Sequence, residues 1–360
     1  MIRAASASGS ESENGMTVRI EWIADKRAFT YHGGALEVAR RVAPNAPQPW
    51  IDLSTGINPH AYPLPDLELE AWSRLPERGA LARLEAAAAQ RYGADPARTV
   101  AGPGSQALIQ ALSHILPRGA VGALGPTYGG FASAFAAAGA RTVEARRLEE
   151  MQSADVAIVV NPNNPDGRIT PRAALLDLHA RLARRRGVLI VDEAFADFGA
   201  ESESLAPSLP ASSAVVLRSF GKAYGLAGLR LGFALTSPDL VASLRAALGP
   251  WPISGPAIAI GIRALADSGW LEAMRARLGQ EAARLDALLR SDGWRIIGGT
   301  QLYRLAAHAD ARATFEQLLR EGILTRPFAK AAERLRFGIP GDESAWERLT
   351  AALEGKRNAP

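Results

Sequence analysis

The sequence contains no cysteine. This absence excludes disulfide bonds, thiolate metal sites and cysteine nucleophiles, and it favours a reducing compartment. Long apolar runs are also missing, because no stretch approaches the ~20 residues that a membrane-spanning helix requires. We therefore expect a cytoplasmic protein with no membrane partner.

Lysine is scarce. The 41 basic residues include only four lysines, Lys26, Lys222, Lys330 and Lys356. Surface positive charge is thus supplied by arginine, and each lysine needs a specific explanation. The net charge of +4 is not clustered: the longest basic run, 184–186, ends a predicted helix, where cations suit the helix dipole. We expect no binding to nucleic acid.

Neither a metal centre nor a secretion signal is indicated. His60, His114, His179 and His308 are scattered without metal-ligand spacing, so we expect no metal. Residues 1–15 are rich in serine and have no apolar core, which is typical of a disordered leader rather than a signal peptide. Met16 is a second candidate start.

Between about Thr99 and Ala234, short apolar runs alternate with helical patterns. We predict helices at 105–116 and 171–186, the second capped by Thr170 with Pro171 at its first position. The runs are nearly continuous in apolar character, as in strands buried on both faces. The pattern predicts an α/β fold with a mostly parallel sheet covered by helices. The strand candidates are residues 121–124, 155–160, 187–191, 214–217 and 231–234.

The pattern changes after Pro250-Trp251-Pro252. Residues 257–289 are predicted as one long helix, followed by alternating segments at 294–297, 301–306 and 335–339 and a terminal helix from Glu343. We expect a smaller α+β lobe here. The predicted organisation is a leader at 1–15, an N-terminal segment at 16–49 joining the small lobe, a large lobe at 50–248 and a small lobe at 249–360.

The motif Ser219-Phe220-Gly221-Lys222-Ala223-Tyr224-Gly225 follows a predicted buried strand. A lysine in such a loop is desolvated, which lowers its pKa and makes it a usable amine nucleophile. Ser219 and Arg230 flank it, and both side chains suit a phosphate. The alternative is a surface lysine in a flexible loop, which the scarcity of lysine disfavours.

Two further motifs follow predicted strands. Asp192, in Asp192-Glu193-Ala194-Phe195, ends a buried strand, where a carboxylate is costly unless it meets a cation such as a protonated pyridine nitrogen. Asn164 lies in an Asn/Pro/Gly run that, taken alone, is merely a turn. The carboxyl ends of parallel strands lie at one edge of a sheet, so we expect these side chains to converge.

Gly102-Pro103-Gly104 precedes a predicted helix, whose first amides, at Ser105 and Gln106, would be free to bind an anion. Tyr128 is an aromatic residue that would stack on a flat ring. Each of these features is weak alone, since a Gly-rich turn and a core aromatic are ordinary alternatives.

In this order, the motifs resemble the fold-type-I aminotransferase family, which depends on pyridoxal 5′-phosphate (PLP), from about Tyr31 to the C-terminus. The resemblance implies a large lobe with a mostly parallel seven-stranded sheet, a smaller α+β lobe and a homodimer. It implies that Lys222 holds PLP as an imine, that Asp192 pairs with the ring nitrogen and that Asn164 contacts the ring oxygen. It assigns the phosphate to Ser105, Gln106, Ser219 and Arg230, ring stacking to Tyr128 and the substrate carboxylate to Arg336.

Within that family the chain is similar to two branches, L-threonine-O-3-phosphate decarboxylases of cobalamin biosynthesis and histidinol-phosphate aminotransferases. The strings at 31–34 and 52–59 resemble the first branch, and Phe195 stands where the second usually has tyrosine. We therefore expect a carbon–carbon lyase, with the aminotransferase as the alternative. Leu75 stands where both branches often have a tyrosine that reaches the neighbouring subunit, which leaves that contact unassigned.

Both branches act on a phosphorylated amino-acid substrate, which needs cations beyond those that hold the cofactor. The candidates for substrate binding are His32, Gly56, Asn58, Asn164, Arg326 and Arg336, with Arg326 first for the phosphate. Two other classes stay open: a non-catalytic regulatory module of the same fold, and a nucleotide-binding α/β protein. The second lacks the glycine fingerprints of nucleotide sites.

Overall fold

The computed structural model describes residues 29–30 and 32–354. The predicted leader at 1–15, Met16 and Tyr31 lie outside these residues. In the described part, no helix combines the length and apolar character needed to cross a membrane.

The large lobe is built on a seven-stranded sheet with the order β2-β8-β7-β6-β5-β3-β4. All neighbouring strands are parallel except β8, which runs antiparallel to β2 and β7. The α/β fold with a mostly parallel sheet is confirmed. The strands are β2 (Thr99–Gly102), β3 (Ala120–Leu124), β4 (Arg141–Ala145), β5 (Val156–Val160), β6 (Val188–Asp192), β7 (Ala214–Ser219) and β8 (Gly232–Leu235).

Helices cover both faces of this sheet because its central strands are apolar on both faces. In β5, Val156 and Ile158 pack into the cluster formed with the helices of one face, while Ala157 and Val159 face the other cluster. Each face therefore has its own hydrophobic core. The helices are α3 (Arg78–Tyr92), α4 (Ser105–Ile115), α5 (Gly130–Ala137), α6 (Arg172–Ala183), the one-turn α7 (Phe220–Ala223), α8 (Pro238–Leu248) and α9 (Gly255–Ala266), preceded by α1 (Leu36–Val42) and α2 (Glu70–Ser73).

The small lobe contains a four-stranded antiparallel sheet with the order β12-β13-β10-β9. A two-stranded sheet joins β1 to β11 in parallel, so residues 51–52, expected at the start of the large lobe, pair with the small lobe. The elements are β1 (Ile51–Asp52), α10 (Ser268–Ser291), β9 (Arg295–Thr300), β10 (Tyr303–Ala307), α11 (Ala311–Arg320), β11 (Ile323–Leu324), β12 (Arg326–Pro327), β13 (Arg334–Gly338) and α12 (Glu343–Glu354).

Two helix predictions need correction. The helix predicted at 257–289 is two helices, because Asp267 leaves helical geometry and its Oδ1 accepts a hydrogen bond from the Trp270 amide at 2.9 Å, capping α10. The helix predicted at 171–186 begins at Arg172, with Pro171 extended at its N-cap. Thr170 does not cap it; its amide donates to Asn161 Oδ1 at 2.8 Å.

Candidate active site

All the predicted site residues except Gly56 and Asn58 line one cavity of about 220 Å³ at the carboxyl ends of the large-lobe strands, where the small lobe meets them. This convergence is expected, because parallel strands end at the same edge of the sheet. Side chains from both lobes line the cavity: His32, Ser105, Gln106, Tyr128, Asn164, Asp192, Ser219, Lys222, Arg230, Arg326 and Arg336.

One end of the cavity is shaped for an anion. Helix α4 begins at Ser105 after Gly104, whose φ of +84° favours glycine. A Cβ on Gly232 would lie 2.5 Å from the Ser105 amide nitrogen, so only glycine lets β8 approach this helix end. The guanidinium of Arg230 lies against Gly104. Free amides, a helix N-terminus and an arginine together suit a phosphate.

Lys222 lies on the one-turn helix α7, directly after β7. Its Nζ donates to the Thr55 carbonyl oxygen at 3.1 Å and lies 5.7 Å from the centre of the Phe195 ring. Burial, followed by the nearby charges of Arg336 and Arg326, lowers the pKa of Lys222 to about 8. The amine is therefore far easier to deprotonate than that of a surface lysine.

Asp192 is the last residue of β6 and is buried. Burial raises its pKa to about 7, although the Ala194 amide donates to its Oδ1 at 3.1 Å. Among the described residues, no lysine or arginine lies within ion-pair distance of this carboxylate. A cationic group bound in the cavity would favour its charged form.

Arg336, on β13 of the small lobe, is completely buried beside the cavity. It donates to Asn164 Oδ1 at 2.7 Å and to the Ser54 carbonyl, and its guanidinium stacks over the Tyr303 ring at 4.8 Å. Its Nε has no hydrogen-bond partner, and no carboxylate pairs with it in the described chain. Burial, followed by Arg326, lowers the pKa of Arg336 to about 9. An anionic ligand would relieve this energetic cost.

A second group of side chains covers the cavity. The Tyr128 hydroxyl donates to Gln106 Oε1 at 2.9 Å, and the Tyr128 ring lies 5.5 Å from the His32 ring, centre to centre. Arg326, on β12, is 9% exposed, and burial lowers its pKa. Burial also lowers the pKa of His32, followed by the charges of Arg326 and Lys222, so His32 is neutral at pH 7.

Two predicted substrate residues do not line the cavity. Asn58 is buried, with its Nδ2 donating to the Ala223 carbonyl at 2.8 Å and its Oδ1 accepting from the His60 amide at 2.9 Å. Its polar atoms are thus used to hold the loop of Lys222. Gly56 has a φ of +63° and lies against Tyr303. A Cβ added to Gly56 would lie 3.0 Å from Cδ1 of the Tyr303 ring. Gly56 is explained by this close approach.

Several contacts around the cavity were not predicted from the sequence. The carbonyls of Ser54 and Thr55 accept from Arg336 and Lys222, and a backbone acceptor leaves no sequence signal. Tyr303 was also missed. Its hydroxyl donates to the Asn163 carbonyl at 2.7 Å across the two lobes, and its ring contacts Phe195. The place of Tyr303 in a strand predicted only an ordinary aromatic residue of the core.

The cavity fits PLP in three respects. The buried Asp192 carboxylate has no cationic partner among the described side chains, and a protonated ring nitrogen would supply one. The anion-binding end at Ser105 and Arg230 suits the phosphate. Lys222 provides an amine with a lowered pKa.

Comparison with known proteins agrees with this geometry. The family model described as aminotransferase class I and II matches residues 48–353. A threonine-phosphate decarboxylase of Pseudomonas aeruginosa is 46% identical, over 90% of this chain and 97% of the relative. One from Sinorhizobium sp. is 40% identical, over 89% and 97%.

Among solved structures, a histidinol-phosphate aminotransferase of Sinorhizobium meliloti in complex with PLP superposes with a TM-score of 0.80 at 20% identity, over 96% of this chain and 100% of that one. At this identity the similarity supports the fold alone. The family match is enzymatic, which sets aside the regulatory-module and nucleotide-binding alternatives. The chain belongs to the class I and II aminotransferase family and is a PLP-dependent enzyme.

Proposed function

We propose that this enzyme decarboxylates L-threonine O-3-phosphate to (R)-1-amino-2-propanol O-2-phosphate, a step of cobalamin biosynthesis. The two relatives at 46% and 40% identity, both threonine-phosphate decarboxylases, support this reaction. The observation that carries the proposal is the presence of two buried arginines, Arg326 and Arg336, in the cavity of Lys222. Neither is part of the predicted cofactor cradle.

The two buried arginines, Arg326 and Arg336, suit a substrate with two anionic groups. Buried guanidinium groups are costly, and their lowered pKa values express that cost. A carboxylate bound by Arg336 would supply an opposite charge to a guanidinium that has no carboxylate partner in the described chain, and Arg326 would bind the phosphate. Neutral His32 adds a hydrogen-bond donor beside Arg326 that does not itself require an anion.

The protein residues divide the remaining work. Bound PLP supplies an electron sink for the bond that breaks at the substrate Cα. Asp192 would keep the ring nitrogen protonated, and the amide of Asn164, oriented by Arg336, would donate to the ring oxygen. Lys222, which lines the same cavity, would deliver a proton to Cα after carbon dioxide leaves.

The choice between decarboxylation and transamination depends on rotation about one substrate bond. With PLP bound, the Cα bond held perpendicular to the cofactor plane would be the one to break, because its electrons would be conjugated with the ring. Holding the carboxylate and the phosphate at two fixed arginines determines this rotation. In our proposal Arg336 and Arg326 therefore place the Cα–carboxylate bond in the perpendicular position.

The deciding experiment incubates PLP-loaded enzyme with L-threonine O-3-phosphate and no oxo acid. Release of carbon dioxide together with 1-amino-2-propanol phosphate is the expected result. Amino-group transfer from histidinol phosphate to 2-oxoglutarate, without carbon dioxide release, would instead place the chain in the aminotransferase branch. That outcome would leave the assignment of Lys222 intact.

We also propose that the enzyme is a homodimer. Leu64, Leu69, Trp72 and Leu75 are more than half exposed along one segment. Trp251, which is also exposed, lies in the loop that leads to α9. The exposed segment packs against α9 at Gly255. An apolar surface of this kind is typical of a subunit interface. Leu75 is part of it and does not line the cavity of its own chain.

Light scattering after size exclusion tests the dimer. Trp72→Asp is expected to give a monomer, because it buries a charge at the interface. Ile169→Asp, on another exposed apolar residue, is the matched control and should leave the mass unchanged. A wild-type chain that elutes as a monomer would refute the proposal.

A further inference from the structure

A cluster of buried ions lies behind the strand ends that carry Asp192 and Ser219. Arg218 precedes Ser219 on β7, and Glu193 follows Asp192 at the end of β6. Successive side chains of an extended strand point to opposite faces, so Arg218 and Glu193 face away from the cavity. Neither of them lines it.

Arg218 bridges two carboxylates of one segment. Its Nη1 donates to Glu193 Oε2 at 2.9 Å, and its Nη2 donates to Asp197 Oδ1 at 2.5 Å. All three side chains are no more than 3% exposed. Glu193 also accepts from the Ser204 hydroxyl and the Leu205 amide, both at 2.6 Å, so the bridge is anchored at its far side.

The bridged residues alternate along the chain with residues of the cavity. Asp192 directly precedes Glu193, and Phe195 lies between Glu193 and Asp197. On the other strand, Ser219 directly follows Arg218 and begins the turn that carries Lys222. A shift of the segment relative to β7 would therefore move Asp192 and Phe195 away from Ser219.

We propose that Arg218 is a positioning residue, which ties the segment 192–197 to the end of β7 and so fixes the spacing of Asp192, Phe195 and Ser219 around the cofactor. The proposal rests on the cofactor-binding roles proposed above for Asp192 and Ser219. Displacements of about 1 Å in such groups are enough to weaken binding and catalysis substantially.

Electrostatics points in the same direction. The Asp192 carboxylate faces Lys222 in the cavity, with Glu193 and Arg218 behind it. The charge of Glu193 raises the pKa of Asp192, while those of Lys222 and Arg218 lower it. Removal of Arg218 would leave Glu193 without its arginine and Asp197 with the longer contact to Arg91, 3.7 Å away, so Asp192 would hold its proton more tightly and pair less well with a ring nitrogen.

The experiment measures cofactor affinity in the absence of substrate. Arg218→Met and Arg218→Lys are compared with Arg245→Met, whose arginine lies 2.6 Å from the buried Glu85, outside the cavity. Apoenzyme is titrated with PLP and with phosphate-free pyridoxal, and the pH midpoint of the bound cofactor's absorbance is recorded. Of the two residues whose spacing is tested, pyridoxal reports Asp192, whereas PLP reports both Asp192 and Ser219.

For Arg218→Met we expect Kd to rise at least tenfold for pyridoxal and further for PLP, with a shifted absorbance midpoint. Arg218→Lys should be intermediate, because an ammonium group does not bridge two carboxylates as a guanidinium does. Arg245→Met should keep Kd within twofold despite its cost in stability.

The proposal is wrong if folded Arg218→Met binds both ligands within threefold of wild type with an unchanged midpoint, or if Arg245→Met loses affinity equally. If Arg218→Met does not fold, the titration of Arg218→Lys tests the proposal instead. Wild-type affinity of Arg218→Lys for both ligands would then overturn it. No substrate is present, so the result is separate from success or failure of the decarboxylase assay.

Discussion

Replacing Arg336 by methionine should stabilise the free enzyme while destroying its activity. Burial, followed by Arg326, lowers the pKa of Arg336 to about 9, against an ordinary value above ~12. Each pKa unit corresponds to about 1.4 kcal/mol, so the charged form costs about 4–5 kcal/mol in the folded protein. Because the folded pKa lies below the unfolded one, this penalty is complete below pH 9 and disappears only as the pH rises towards the unfolded value.

Part of the stability gained by removing the buried charge of Arg336 is lost again. Methionine leaves Asn164 Oδ1 and the Ser54 carbonyl without the donors that Arg336 provides, at a cost of about 1–2 kcal/mol each. The net stabilisation at pH 7 is then about 0–3 kcal/mol, or a Tm increase of roughly 0–4 °C for 360 residues. Loss of a buried arginine–carboxylate contact costs about 3–4 kcal/mol, so kcat/KM should fall between about 10² and 10³.

Differential scanning fluorimetry without substrate and initial rates of carbon dioxide release measure the two effects. The control is Arg304→Met on the neighbouring strand, where Arg304 Nε lies 2.6 Å from Asp286 Oδ1. That change should lower Tm, because it removes the nearer of the two arginines that pair with Asp286, and it should keep kcat/KM within threefold. A Tm of Arg336→Met several degrees below wild type, or a loss of kcat/KM under tenfold, would refute the reasoning.

Three further outcomes are expected. Borohydride reduction should attach PLP to the peptide of Lys222 but to no peptide of Lys222→Ala. The attachment rate to apoenzyme should rise with pH through a midpoint near 8 and level off above it, whereas the rate of an ordinary lysine would still be rising there. Gly232→Ala should weaken PLP at least tenfold and pyridoxal little, since its Cβ would displace the Ser105 amide; equal losses would contradict the phosphate assignment. Phe195→Tyr should lower the pH midpoint of the bound cofactor's absorbance, because a hydroxyl near the ring oxygen favours its anionic form, and an unchanged midpoint would count against this role.

Much of the large lobe could be predicted because its signals are local. The central strand candidates were found within one or two residues at most ends, since strands buried on both faces are continuous apolar runs. The edge strand β4, with only Ala145 buried, lacks such a run and was not predicted. The break at Asp267 was missed because helical periodicity continues on both sides of a single capping residue.

For the site, local motifs indicated which residues carry chemistry but not which of them meet. Lys222, Asp192 and Asn164 stood out because each follows a strand, and strand ends share one edge of the sheet. Asn58 was a weaker candidate for substrate binding, and the fold commits both its polar ends to backbone groups near Lys222.

The sequence by itself indicated the fold class, the cofactor and a candidate lysine to hold it, because these depend on short segments whose hydrophobic pattern and residue types are local properties. Only the tertiary structure decided that Arg336 meets Asn164 across 172 positions of the chain, and that Arg218 bridges Glu193 and Asp197 behind the cavity. The energies of these groups depend on burial and on charges contributed by distant segments. Those quantities exist only once the two lobes are packed together.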